Sequence, residues 1–203
     1  MPNNFLIYGA NGYTGELIVR YAVERGMKPI LAGRNAAKVE SLAKQNNLDY
    51  RVFALEETEK LDAALREVSF VLHCAGPFSL TSRPMIEACL RVKRHYLDIT
   101  GEIAVFEGVF ARHREAEAAG IALLPGVGFD VVPSDGLAAR LAAALPAATS
   151  LDLAFGTLGG SWSRGTLATA IEALPATGAI RKDGRLVSVG WSSWSAPRRI
   201  SWP

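Results

Sequence analysis

The sequence predicts an α/β protein built on a doubly wound parallel sheet, and three observations carry that prediction. Short apolar runs recur from Phe5 to Leu124, and each is followed by a stretch with helical periodicity. The first run, Phe5-Leu6-Ile7-Tyr8, passes directly into Gly9-Ala10-Asn11-Gly12-Tyr13-Thr14-Gly15, three evenly spaced glycines ahead of a helix. Uninterrupted apolar strands alternating with helices imply a sheet covered on both faces, where parallel strands belong. Right-handed crossovers then make the alternation a Rossmann sheet.

Each element can be justified in turn. Glu16 to Glu24 is the first helix, with Leu17, Ile18, Tyr21 and Ala22 on one face and Gly26 placed as its C-cap. Lys28 to Gly33 reads as a buried strand, Ala36 to Gln45 as a helix and Tyr50 to Ala54 as the third strand. A polar helix at Thr58 to Glu67 leads to a strand at Phe70 to Cys74 and a helix near Met85 to Lys93. A strand at Tyr96 to Asp98, one helix from Ile103 to Ala119 and a strand at Ile121 to Leu124 complete the alternation.

From Pro133 the pattern changes. Ser134 to Ala144 is an Ala/Leu-rich helix, Ser150 to Thr157 alternates like a strand, and Gly165 to Leu174 looks helical. Gly178 to Arg181 and Arg185 to Val189 flank Lys182-Asp183-Gly184, a hairpin signal. The expected division is a nucleotide-binding domain at 1–132, then a linker helix and an incomplete α+β substrate or dimerisation domain at 133–203. The tail from Trp191 to Pro203, with three tryptophans, is too apolar for a free terminus and too short to cover a sheet, so self-association is expected.

Bulk properties exclude several classes. With 49% apolar and 21% charged residues and Lys+Arg 22 against Asp+Glu 20, neither disorder nor a nucleic-acid surface is indicated. The two cysteines, Cys74 and Cys89, lack a partner motif, so a reducing cytoplasm is the expected location. No signal core or membrane-length apolar run is present. His73, His95 and His113 share no metal-like spacing, so no metal site is assigned.

The glycine loop reads as a dinucleotide cradle. Gly9 lets the chain turn out of the strand, Gly12 lets the backbone approach a pyrophosphate, and Gly15 lets the helix pack close to the sheet. Ala10, Asn11, Tyr13 and Thr14 share the loop, and the helix N–H groups face an anion. The first gap is one residue longer than in G-x-G-x-x-G, and a tight turn without a ligand would use the same glycines. After the second strand comes Gly33-Arg34-Asn35, where an NAD-selective fold places a carboxylate; Arg34 suits a 2′-phosphate instead, with Lys38 one turn later. A solvated helix-start arginine is the bland alternative, and NADP(H) is favoured as cofactor.

Ala75-Gly76-Pro77-Phe78, after the fourth strand, sits beside the switch point where such sheets bind ligands, although Gly-Pro is equally a plain turn. Phe78 is either a wall for the nicotinamide ribose or a core residue. Asp98 and Thr100 end the fifth strand, and Gly128-Phe129-Asp130 follows the sixth. All five are substrate-side candidates, with helix capping as the alternative for such loops. No Tyr is followed four residues later by Lys, and no G-x-S-x-G elbow occurs, so the catalytic residue is unassigned.

These motifs, in order, resemble the saccharopine dehydrogenase-like oxidoreductases and, within them, the trans-acting enoyl reductases. The matching segments are Tyr8 to Gly15, Leu31 to Arg34, Ala75 to Phe78, Tyr96 to Glu102, Gly128 to Asp130 with Pro133 to Asp135, and Ser163 to Ala168. The resemblance implies an NADP(H)-binding Rossmann domain followed by an α/β domain shaping a small-molecule substrate pocket, in chains longer than this one. The expected function is hydride transfer to or from a polarised C=C, C=N or C=O bond. The alternative is a non-catalytic NADP(H)-binding redox sensor or interaction protein.

Overall fold

A computed structural model of the chain describes residues 4–129, 131–149, 151, 178–182 and 185–189. The elements follow in order as β1 (Phe5–Tyr8), α1 (Tyr13–Glu24), β2 (Ile30–Gly33), α2 (Ala36–Asn46), β3 (Tyr50–Val52), α3 (Thr58–Arg66), β4 (Phe70–His73) and α4 (Phe78–Val92). They continue as β5 (His95–Asp98), α5 (Ile103–Phe110), α6 (His113–Ala119), β6 (Leu123–Leu124), α7 (Val132–Ala144), β7 (Gly178–Lys182) and β8 (Arg185–Val189). The first six strands form one parallel sheet in the order β3-β2-β1-β4-β5-β6. This is the doubly wound Rossmann arrangement, α/β with the chain reversing its direction of travel between β1 and β4.

The unbroken apolar strands serve two cores at once, because alternate side chains point to opposite faces. Leu6 and Tyr8 of β1 join Val71, Tyr96, Leu61, Leu65, Met85 and Cys89 under α3, α4 and α5. Phe5 and Ile7 join Leu31, Val19, Ala22, Val39 and Ala43 under α1 and α2. Tyr8 is level with Ala32 on one side and His73 on the other. The carboxyl ends of β2, β1 and β4 therefore stand side by side.

Three expected boundaries are corrected. The helix expected near Met85 begins at Phe78 and carries Pro84 inside it; its early start is held by groups distant in sequence, described below. The single helix expected from Ile103 to Ala119 is two, α5 and α6, broken at Ala111-Arg112. Arg112 would continue the buried stripe of Val105, Val109 and Ala116; at the break its guanidinium pairs with Glu115 at 2.8 Å and with Glu87 of α4 at 3.9 Å. The sixth strand is limited to Leu123 and Leu124.

α7 differs from the other helices in having no buried residue. β7 and β8 pair antiparallel, with Lys182 opposite Arg185, as the hairpin signal requires. The expected helix at Gly165 to Leu174, the Ser163 to Ala168 motif, almost all of the expected strand at Ser150 to Thr157, the Trp191 to Pro203 tail and Asp130 lie outside the described residues. Among the described residues no helix is long and apolar enough to cross a membrane.

Candidate functional site

A cleft of about 940 Å³ runs along the carboxyl ends of β2, β1 and β4. Strand order sets its contents in a line. At one end, after β2, are Gly33, Arg34, Asn35 and Lys38; in the middle, after β1, are Gly9, Asn11, Gly12, Tyr13 and Thr14; at the other end, after β4, are Cys74, Ala75, Gly76, Pro77 and Thr81. Asn35 caps α2 by accepting the Lys38 N–H at 3.1 Å, which orients that turn and leaves Arg34 exposed at its head.

The middle of the cleft is built by close approach. Gly9 has a φ of +81°, and a Cβ there would stand 2.8 Å from the Ala75 nitrogen. A Cβ on Gly15 would be 2.3 Å from the Gly9 carbonyl oxygen. Both glycines are demanded by the fold itself. α1 then starts at Gly12, which brings no side-chain cap, and among the described residues no side chain is bonded to the N–H groups of its first turn, where the helix carries a partial positive charge.

The β4 end is fastened from several sides. The Thr81 hydroxyl donates to Ala75 O at 2.6 Å and lies 3.0 Å from Pro77 O. His73 Nε2 lies 3.0 Å from the same hydroxyl oxygen. With its one hydrogen given to a carbonyl, Thr81 accepts there, so His73 carries its proton on Nε2. Burial pushes the His73 pKa down to about 3, which keeps the ring neutral.

The next loop is fastened by Asp98, whose carboxylate accepts the Tyr96 hydroxyl at 2.6 Å and the N–H groups of Thr100 at 3.0 Å and Gly126 at 2.8 Å. Desolvation raises the Asp98 pKa while these three bonds oppose the rise.

A family model described as the saccharopine dehydrogenase NADP-binding domain matches residues 5–124, the whole of the six-stranded sheet. The chain belongs to that family. Among curated relatives, a trans-acting enoyl reductase of Mycobacterium leprae is 29% identical over 140 residues, covering 65% of this chain and 34% of the relative. A probable mitochondrial saccharopine dehydrogenase-like oxidoreductase of Arabidopsis thaliana is 30% identical over 149 residues, covering 65% and 33%. The chain thus spans about a third of the length of these relatives. Among solved structures, apo saccharopine dehydrogenase (L-Glu forming) of Saccharomyces cerevisiae aligns with a TM-score of 0.60 at 19% identity, over 71% of this chain and 31% of that one, a likeness of fold.

The cleft of this saccharopine dehydrogenase-type domain fits NADP(H) on its own geometry. Gly12 is the informative glycine: a Cβ there would meet only the Gly9 oxygen, at 3.3 Å, so packing makes little demand for glycine. What glycine leaves at Gly12 is open cleft at a helix start without a side-chain cap, a setting whose N–H groups suit an anion. Gly33 closes the gap between β2 and β1, since a Cβ would sit 2.9 Å from Asn11 Oδ1.

Other sequence candidates have other surroundings. Ala10 and Gly15 are buried beneath the loop. Phe78 is buried and packs edge-on against His73, with ring centroids 5.4 Å apart, as a core residue behind the cleft. Asp98 and Thr100 have no exposed surface and are bonded within the protein, so they shape loops under the rim. Gly128 packs against Ile99, and Phe129 is exposed.

Sequence reasoning missed the role of Glu102. Its Oε1 and Oε2 accept the N–H groups of Phe78 and Ser79, each at 2.8 Å. Glu102 lies in the Tyr96 to Glu102 motif, but its partners are 24 and 23 residues away. No local pattern announces such a cap.

Proposed function

We propose that the chain is the cofactor-binding part of an NADP(H)-dependent oxidoreductase that moves hydride to or from a polarised C=C, C=N or C=O bond. The observation that carries this reading is the uncapped start of α1 at Gly12, with the Arg34 guanidinium at one end of the cleft and small residues at the other. Bound cofactor supplies the hydride from its nicotinamide ring. The chain's own residues bind and orient: the Gly9 to Gly15 backbone holds the pyrophosphate, Arg34 with Asn35 and Lys38 receives the 2′-phosphate, and Ala75 to Pro77 borders the nicotinamide ribose. Gly128 and Phe129 then face the substrate side.

Two titratable groups lining the cleft, Tyr8 with its hydroxyl towards the Arg34 side and Cys74 at the β4 end, are poorly matched to proton transfer near neutral pH. Burial pushes both Tyr8 and Cys74 up to about 12, and the Tyr8 hydroxyl is donated to Phe53 O at 3.2 Å. This supports the reading that the described cleft is a cofactor site whose reacting partner and proton come from elsewhere. It is also the observation that favours the rival, an NADP(H)-binding sensor without catalysis. Turnover of NADPH with a panel of enones, imines and ketones separates the two: binding without turnover on any of them, in the complete protein, favours the sensor.

The exposed apolar side chains of α7, Val132 and Leu137 among them, support self-association in a reducing, cytoplasmic setting. Light scattering of the 203-residue chain is expected to give a species larger than a monomer, and a stable monomer at high concentration would refute it.

A further inference from the structure

One carboxylate joins the loops that follow two neighbouring strands. Glu102 comes from the β5 side and grips the first turn of α4 with both oxygens, through the Phe78 and Ser79 N–H groups at 2.8 Å each. Its own N–H is donated to Thr100 Oγ1 at 3.1 Å, and the Thr100 N–H goes to Asp98 Oδ1, which also takes the Gly126 N–H. A continuous line of bonds thus runs from the loop after β6, through the loop after β5, to the start of α4. Phe78 and Ser79 directly follow Cys74 to Pro77, the stretch that lines the β4 end of the cleft.

Resting on the NADP(H) reading of that cleft, we infer that Glu102 is a positioning residue for the nicotinamide half of the cofactor site. It holds the Cys74 to Pro77 loop from behind, through the first turn of α4, and is not itself part of the cleft wall. Bonds from a carboxylate to N–H groups at a helix start are of the strong, charge-assisted kind, and two of them fix both the position and the direction of the turn. His73 and Thr81 also brace the loop, but both belong to the β4–α4 unit. Glu102 ties that unit to the rest of the sheet edge.

The strand order makes the effect local. The β2 and β1 loops receive the 2′-phosphate and the pyrophosphate, so a loosened β4 loop is felt at one end of the ligand. Isothermal titration of the 203-residue chain with NADPH and with 2′,5′-ADP, which lacks the nicotinamide half, tests this. Glu102→Ala is expected to weaken NADPH about tenfold, the order of one charge-assisted bond's contribution, and to leave 2′,5′-ADP within about twofold. Glu102→Gln, which keeps one acceptor oxygen, is expected to fall between Ala and wild type.

Equal losses for both ligands in Glu102→Gln, or no change for either in Glu102→Ala, overturn the inference. The 2′,5′-ADP arm also reports that each variant is folded. A wild-type chain that binds neither ligand would overturn the cofactor reading itself, a different result from either of these.

Discussion

Two helices start side by side at the carboxyl edge of the sheet, α1 after β1 and α4 after β4, and they are finished in opposite ways. α1 opens at Gly12, and among the described residues no side chain is bonded to its first N–H groups. α4 opens at Pro77 with the Glu102 carboxylate across two of them. Both ends carry the same partial positive charge. The protein meets one with its own carboxylate and leaves the other open to the cleft, as the proposed cofactor site requires. Where an α/β protein leaves a helix start uncapped beside a cleft, the missing cap is informative about the ligand.

The comparison is broken most severely by filling the open start. Gly12→Val places a branched side chain where the pyrophosphate is received. It is expected to weaken NADPH by at least about two orders of magnitude, a loss of roughly 2.7 kcal/mol. The variant should fold with a modest loss of thermal stability, since the added Cβ meets one backbone oxygen at 3.3 Å, a tight contact that a shift of a few tenths of an ångström relieves. Fluorescence titration together with a melting curve checks both halves; unchanged affinity in a folded variant would refute the cradle.

The next largest effect sharpens what the open start receives. Arg34→Asp removes a charge-assisted bond of about 1.5–3 kcal/mol, which corresponds to roughly a ten- to hundredfold loss for NADP(H), while NAD(H) holds or improves. The wild-type preference should shrink as salt rises, because Arg34 is exposed. Dissociation constants for both cofactors at two ionic strengths test this, and equal wild-type values would reduce Arg34 to a solvated helix-start residue.

A third test probes the closed start through acid. His73, bonded to Thr81 beneath α4, titrates near 3 when folded and near 6.5 when unfolded. Below about pH 6.5 the unfolded chain therefore binds a proton that the folded chain refuses, so stability falls as pH drops from there towards 3. The slope attributable to this group reaches about 1.4 kcal/mol per pH unit. Urea unfolding across pH 4–7 should show that slope in wild type and a shallower one in His73→Gln; equal slopes would contradict it.

The two starts also mark what a sequence makes legible. Gly12 and Gly15 act on atoms of Gly9 and Ala10, a few residues away, so the open start could be read from the glycine spacing, as could the strands from their apolar runs, although the contact that Gly9 makes with Ala75 spans two strands. The closed start could not. Glu102 reaches Phe78 across the sheet edge, and Pro84 made the earlier half of α4 read as loop. Asp98 has the composition of a substrate-side carboxylate, yet one of its donors is Gly126, 28 residues on, and this long-range bonding puts it under the rim. The break at Ala111-Arg112 is likewise silent in the sequence: local periodicity continues through it, while Arg112 at the break pairs with Glu87 of α4, far back in the chain.

An uncapped helix start is also a standing weakness. A side-chain N-cap improves on glycine by a few tenths of a kcal/mol, and α1 goes without that gain whenever the cleft is empty. Ligand that binds the folded chain alone adds stability by mass action, about 2.7 kcal/mol at a hundred times its dissociation constant. If the α1 loop holds the cofactor as proposed, the stability of the chain depends on supply: a cofactor-replete chain unfolds less readily than an empty one.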